Sequence, residues 1–154
     1  MSKMDLALGH GELRLSSPDP QVQPVLDYNY LQEPFDRERL REAVRICLDL
    51  AERDDMKAII ERRISPTDSE LVSDETLVDW LMRTATTSHH VSDTCKMGPA
   101  SDPMAVVDQQ GRVHGIDGLR VADVSITPDC IRANTNVTTM VIGERIAAFM
   151  REGQ

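Results

Sequence analysis

The sequence predicts an α+β fold, and three observations predict it. Alternating apolar and polar residues broken by prolines occupy the start of the chain, stretches with three- and four-residue apolar periodicity occupy the middle, and short extended segments followed by one long apolar stretch occupy the end. No internal repeat or low-complexity stretch interrupts this order.

Gly11-Glu12-Leu13-Arg14-Leu15-Ser16-Ser17-Pro18 alternates and then breaks at Pro18 and Pro20, the pattern of a short strand ending in a turn. Val25-Leu26-Asp27-Tyr28, after Pro24, is a second extended segment, and the two together predict a sheet edge. From Asp36 to about Arg53 the period changes: Leu40, Val44, Cys47, Leu48 and Ala51 fall on one face of an amphipathic helix, with Cys47 as a core residue and Pro34 just upstream of the start. A shorter helix is predicted around Met56 to Arg62, ended before Pro66.

Ser73, ahead of Asp74 and Glu75, is a helix N-cap followed by an acidic first turn, and Leu77, Trp80, Leu81 and Thr84 share one side of the helix it opens. That spacing assigns Trp80 to core packing rather than to a pocket wall. After Ala85 the chain turns rich in Gly, Pro, Ser and Asp, with extended segments expected at Ala105–Asp108 and Leu119–Asp123. The last element runs from just after Asn136 to about Met150 and carries Val137, Met140, Val141, Ile146 and Phe149, which reads as a largely buried helix.

The 154 residues are enough for one ordinary domain, which at that length buries roughly 68–70% of its unfolded surface. The formal net charge is −9, with the basic residues scattered, so neither nucleic acid nor an anionic membrane is an expected partner. Cys47, Cys95 and Cys130 are odd in number and form no C-x-x-C pair, which argues against a disulfide framework and a structural zinc site. No apolar stretch is long enough to span a bilayer and Met1-Ser2-Lys3-Met4-Asp5 lacks the apolar core of a secretory signal, so a cytoplasmic location is expected.

The polar residues that carry chemistry cluster late: His89-His90, Thr94-Cys95, Asp123, Ser125 and Asn134-Thr135-Asn136. A histidine exchanges a proton near neutral pH and is the natural base for an alcohol hydroxyl, while an asparagine can hydrogen-bond the same oxygen without competing for the proton. Taken alone, a histidine such as His90 is more often structurally satisfied than a base. Asparagine is also a preferred N-cap, so Asn134 or Asn136 could cap the last helix; its N-terminus offers free N–H groups and a partial positive charge. Adjacent residues of an extended chain point to opposite faces, so His89 and His90 are not expected to share a metal, and His10 and His114 are expected at the surface.

A specific resemblance rests on an ordered series of motifs: His89-His90-Val91-Ser92-Asp93-Thr94-Cys95-Lys96-Met97-Gly98, Val106-Val107-Asp108, Val113-His114-Gly115, Gly118-Leu119-Arg120-Val121-Ala122-Asp123-Val124-Ser125-Ile126-Thr127-Pro128, then Asn134-Thr135-Asn136-Val137-Thr138-Thr139-Met140 and Gly143-Glu144. The series resembles the C-terminal signature of the glucose–methanol–choline oxidoreductases, and Gly11–Leu15 with Pro24–Leu31 resembles the segment before that family's long helix. The resemblance implies the C-terminal part of a two-domain flavoenzyme fold, with 1–97 as a substrate-domain portion containing the active-site histidine and 98–154 as strands and a helix completing an FAD-binding domain.

By the same resemblance His90 matches the active-site histidine five residues before the cysteine of T-C-x-M-G, and Asn136 matches a second active-site position that is histidine or asparagine in the family. The implied reaction is oxidation of an alcohol CH–OH by base-assisted hydride transfer to FAD. Asp123 with its neighbour Val124, and Asn136, Val137 and Thr138 at the helix start, would lie against the cofactor.

Two departures stand out. Asp93 occupies a position that is usually glycine; a positive φ there would cost about 1 kcal/mol, and a carboxylate beside His90 would favour the charged imidazole and weaken it as a base. The G-x-G-x-x-G turn needed to cradle a pyrophosphate is also absent from the sequence, since Gly9-His10-Gly11 precedes a strand-like stretch and lacks the third glycine. The chain is therefore expected to need a separate N-terminal FAD-binding polypeptide and a small alcohol substrate. The alternative is a non-catalytic remnant or interaction module, inactive by itself.

Overall fold

Residues 6–153 are described by a computed structural model, in which the chain divides into two compact units, Met1–Ser88 and His89–Gln154. Met1–Asp5, where a secretory signal was judged absent, lie outside the described residues. The division expected between 97 and 98 falls inside the second unit, and His90 belongs to that unit with the last helix.

The first unit is organised by helix α1 (Pro34–Ala51). Proline is suited to a helix start because its φ is preset and its missing N–H has no partner there in any case. Asp36, in the first turn, is almost completely buried, which the sequence pattern did not reveal. Its carboxylate accepts the backbone N–H of Leu8 at 2.9 and 3.0 Å and of Gly9 at 2.8 Å, while Arg39 reaches the Leu6 carbonyl at 2.7 Å. The charge thus fastens the start of the described chain to α1.

Strands β1 (Glu12–Arg14) and β2 (Val25–Asp27) pair antiparallel with Leu13 opposite Leu26, as the alternation predicts, and all six residues are exposed. Gly11 permits the approach: a Cβ there would stand 2.1 Å from the Asp27 carbonyl oxygen. Helix α2 (Asp54–Lys57) is a single turn, earlier and shorter than the expected Met56–Arg62 element. Ile59 and Ile64 beyond it are exposed, so no buried apolar face supports a longer helix there.

Helix α3 (Asp74–Thr84) starts where the cap signal put it, with the Ser73 Oγ accepting the Thr76 N–H at 3.2 Å. Leu31, Val44, Leu77 and Leu81 form the core of this unit, with Leu40, Leu48, Leu71, Trp80 and Ala85 packed on it. Trp80 thus packs as expected, and its Nε1–H donates to Ser65 Oγ at 3.0 Å. Cys47 does not join them: it is exposed, because the buried stripe of α1 advances through Leu40, Val44 and Leu48 and leaves position 47 to one side. Arg41 and Arg45 both pair with Asp74 and tie α1 to the start of α3.

In the second unit the expected strands at Ala105–Asp108 and Leu119–Asp123 are reduced to isolated bridges, Met97 with Val107, Val107 with Val113 and Arg112 with Arg120. Turns at Gly111, Gly115 and Gly118, all at positive φ, reverse the chain too often for a longer ladder. At Gly111 (φ 73°) a Cβ would also lie 2.5 Å from the Val121 carbonyl, so only glycine fits. A 3-10 turn (Val124–Ile126) leads toward helix α4 (Asn136–Arg151). Val107, Ile126 and Ile146 are the core, joined by Met97, Val106, Val113, Val121, Ile142 and Phe149.

Helix α4 departs from the largely buried helix expected. Ile146 is its one buried residue among those described, whereas Val137, Met140 and Val141 are 69%, 57% and 61% exposed. One face packs on the small core, and no described residue covers the other. The described helices include none long and apolar enough to cross a membrane.

Candidate active site

His90 lies at the beginning of the second unit, directly after His89, whose φ of 62° turns the chain sharply. Its half-buried imidazole meets the start of α4: His90 Nδ1 and Thr135 Oγ1 are 2.9 Å apart. Thr135 is the N-cap residue of α4 and is buried, so the expectation that Asn134 or Asn136 caps the helix is corrected: Asn136 is its first helical residue. The Thr135 hydroxyl accepts no N–H of α4, being turned to His90, while its carbonyl accepts Thr139 N–H at 2.8 Å and Thr139 Oγ–H at 2.9 Å.

The first turn of a helix presents N–H groups without intrahelical partners and about half a positive charge. Here the N-cap residue's own side chain makes no cap bond, and Asn136 and Val137 are exposed beside it. Thr138, next in the turn, is half-buried. An imidazole held at the N-cap of α4 and an exposed amide on the first residue of that helix therefore belong to one unit. Such a group can exchange a proton with a hydroxyl and favour negative charge nearby.

The segment after His90 is fixed by backbone bonds: Cys95 N–H donates to the Ser125 carbonyl and Met97 N–H to the Ile126 carbonyl, each at 2.9 Å. Just before Cys95, Asp93 adopts φ 69°, so the left-handed conformation considered for this position is the one it takes. Its carboxylate is engaged by Thr127, whose Oγ–H is 2.5 Å from Asp93 Oδ1 and 2.7 Å from the Val124 carbonyl. Asp123 is exposed and caps the 3-10 turn, its Oδ1 accepting Ser125 N–H at 2.8 Å, with Val124 next to it half-buried. Asp123 thus forms the turn that opens this segment.

His10 is exposed, as expected, but His114 is half-buried, its Nε2 3.0 Å from the Gly98 carbonyl. Two residues of the site escaped the sequence-based expectations. Thr135 was noted only as the middle of a motif, and Thr127 only as part of a run; nothing in either position signals a partner 45 or 34 residues away.

The family model described as GMC oxidoreductase matches residues 8–143. The oxygen-dependent choline dehydrogenase 1 of Chromohalobacter salexigens is 39% identical over 145 residues, covering 94% of this chain and 26% of that protein. Among solved structures, pyridoxine 4-oxidase from Mesorbium loti superposes with a TM-score of 0.82 at 32% identity, over 92% of this chain and 27% of its own. A formate oxidase of Aspergillus oryzae RIB40, in a variant made to study FAD modification, gives 0.83 at 28% identity over 94% and 25%. The chain spans about a quarter of the length of the curated relatives it matches.

Proposed function

The chain belongs to the GMC oxidoreductase family, and from that premise we propose that it forms the C-terminal portion of an FAD-dependent oxidoreductase that oxidises the CH–OH group of a small alcohol. The single observation that carries this is the imidazole of His90 held against the N-terminal end of α4, one residue before Asn136. His90 takes the hydroxyl proton of the alcohol, and the Asn136 amide hydrogen-bonds the same oxygen and holds it in place. FAD, when bound, supplies the hydride acceptor.

The residues at this end suit such a group. Asn136, Val137 and Thr138 begin a helix that its N-cap side chain leaves uncapped, and its partial positive charge favours an electron-rich ring edge by about 0.3–1 kcal/mol. Asp123 uses Oδ1 for its own turn, and Oδ2 would accept a cofactor hydroxyl, with Val124 beside it. The pyrophosphate cradle is assigned to an N-terminal FAD-binding part outside these 154 residues, either a separate polypeptide or a stretch of the same one.

The test is co-expression with the N-terminal part of a choline dehydrogenase relative, followed by purification and flavin absorption spectra. Bound flavin that bleaches on adding an alcohol is the expected result, with choline, named in the curated relatives, the first to assay. A complex that carries no flavin and shows no alcohol-dependent bleaching overturns the proposal. The exposed Val137, Met140 and Val141 favour a second role, a non-catalytic interaction module. A monodisperse isolated chain that binds no apolar dye would count against it.

A further inference from the structure

We propose that Thr135 is the positioning residue of the site: its hydroxyl oxygen accepts the Nδ1 proton of His90 and so leaves Nε2 unprotonated for the substrate. This rests on the alcohol-oxidising reading for what Nε2 then does, whereas the tautomer is a property of the chain that is measured without flavin.

A neutral imidazole has one protonated and one bare nitrogen, and the hydrogen bond made by one decides the state of the other. His90 Nδ1 is the nitrogen held inside the protein, 2.9 Å from Thr135 Oγ1. If Thr135 donated to Nδ1, Nε2 would carry the hydrogen and the ring could not take a hydroxyl proton there. With Nδ1–H donating to Thr135, Nε2 carries the lone pair and is the base.

Thr135 is well built for the task. Its residue is 7% exposed, and its carbonyl is engaged twice by Thr139. A β-branched side chain has few χ1 choices, so locking the backbone fixes the hydroxyl as well. At an N-cap a threonine hydroxyl ordinarily accepts an N–H of its own helix, yet here it makes no such bond and faces the imidazole. Aspartate at this position would impose a full charge on the ring; a hydroxyl sets the tautomer without doing so.

The experiment is long-range proton–nitrogen correlation on the 154-residue chain labelled with 15N-histidine, His90 being assigned by the spectrum of H90Q. In the wild type we expect His90 with Nδ1 protonated and Nε2 bare. Thr135→Val, which keeps the shape and removes the acceptor, should shift the ring toward the Nε2-protonated form, and Thr135→Ser should restore the wild-type pattern. In the flavin-loaded complex T135V should slow alcohol oxidation roughly ten- to a hundredfold, with T135S recovering most of it. A wild-type ring that is protonated on Nε2 or behaves as a free imidazole overturns the proposal, as does a T135V spectrum identical to wild type. Failure to bind flavin would instead sink the oxidoreductase reading and leave the tautomer result standing.

Discussion

Asp93 sets two effects of similar size against each other, which makes its substitution informative. Its φ of 69° is strained for any residue with a Cβ, by about 1–2 kcal/mol in general and somewhat less for aspartate. Against this stands the Thr127 Oγ–H to Asp93 Oδ1 bond of 2.5 Å, a half-buried bond to a charged acceptor worth about 1.5 kcal/mol. Because Thr127 also reaches the Val124 carbonyl at 2.7 Å, loss of the carboxylate leaves no orphaned hydroxyl and the low end of the range applies. Asp93→Gly then loses about 1.5 kcal/mol of bonding, gains about 1 in relieved strain and gives back about 0.5–1 through a freer unfolded chain, for a net loss near 1 kcal/mol. Asp93→Ala loses the bond and, tolerating this φ less well than aspartate, adds about 0.5 of strain, about 2 kcal/mol in all, while Asp93→Asn, which tolerates this φ and retains an oxygen acceptor, loses about 0.5. Urea unfolding of the three variants and the wild type, read at constant slope, should rank them wild type, Asn, Gly, Ala. A glycine variant more stable than wild type would refute the reasoning, because the carboxylate would then be a burden and not a support.

Asp36→Ala should destabilise the first unit by about 2–3 kcal/mol, since two backbone donors lose a charged acceptor, and amide hydrogen exchange at Leu8 and Gly9 should accelerate; unchanged exchange would contradict the anchoring role. Burial pushes the Asp108 carboxyl upward, but the N–H groups of Arg112 and Gln110 and the Arg112 guanidinium outweigh it and hold it below its ordinary value of 3.8. A depressed carboxyl supplies stability that is full above its unfolded value and lost as pH falls through the lower folded one, so acid unfolding below about pH 4 should be less steep in Asp108→Asn. In the flavin-loaded complex His90→Gln should retain flavin and slow alcohol-dependent bleaching by about 10²- to 10⁴-fold; bleaching at the wild-type rate would remove His90 from the chemistry.

What the sequence revealed and what it concealed divide along physical lines. Local chemistry was legible: Ser73 caps α3 with its own neighbours, Leu77 and Leu81 recur at helical spacing, and Pro34 opens α1. Val106, Val107 and Val121 are apolar as strands are, yet glycines at positive φ between them allow only single bridges. Periodicity reports which residues seek cover and not what covers them, and for that reason Val137, Met140 and Val141 read as buried although no described residue lies over them. For the site, the ordered motifs singled out His90, Asn136 and Asp123, and membership of the family is established. The contact of His90 with Thr135 and of Asp93 with Thr127 depends on tertiary approach, which spacing along the chain does not encode.

Backbone bonds of the second unit close the chain within the span from His90 to Thr135, which has a consequence for how the site comes together. Asp108 N–H meets Arg112, His114 N–H meets Val106 around that turn, and Gly98 N–H meets Val107; farther out, Met97 joins Ile126 and Cys95 joins Ser125. These closures hold Cys95 beside Ser125, so the loop that remains when His90 meets Thr135 runs through the residues outside them and not through all 45. The contact of His90 with Thr135 lies outside those closures. It can part while they stay shut, so that opening the imidazole to a ligand or to solvent does not require the unit to unfold.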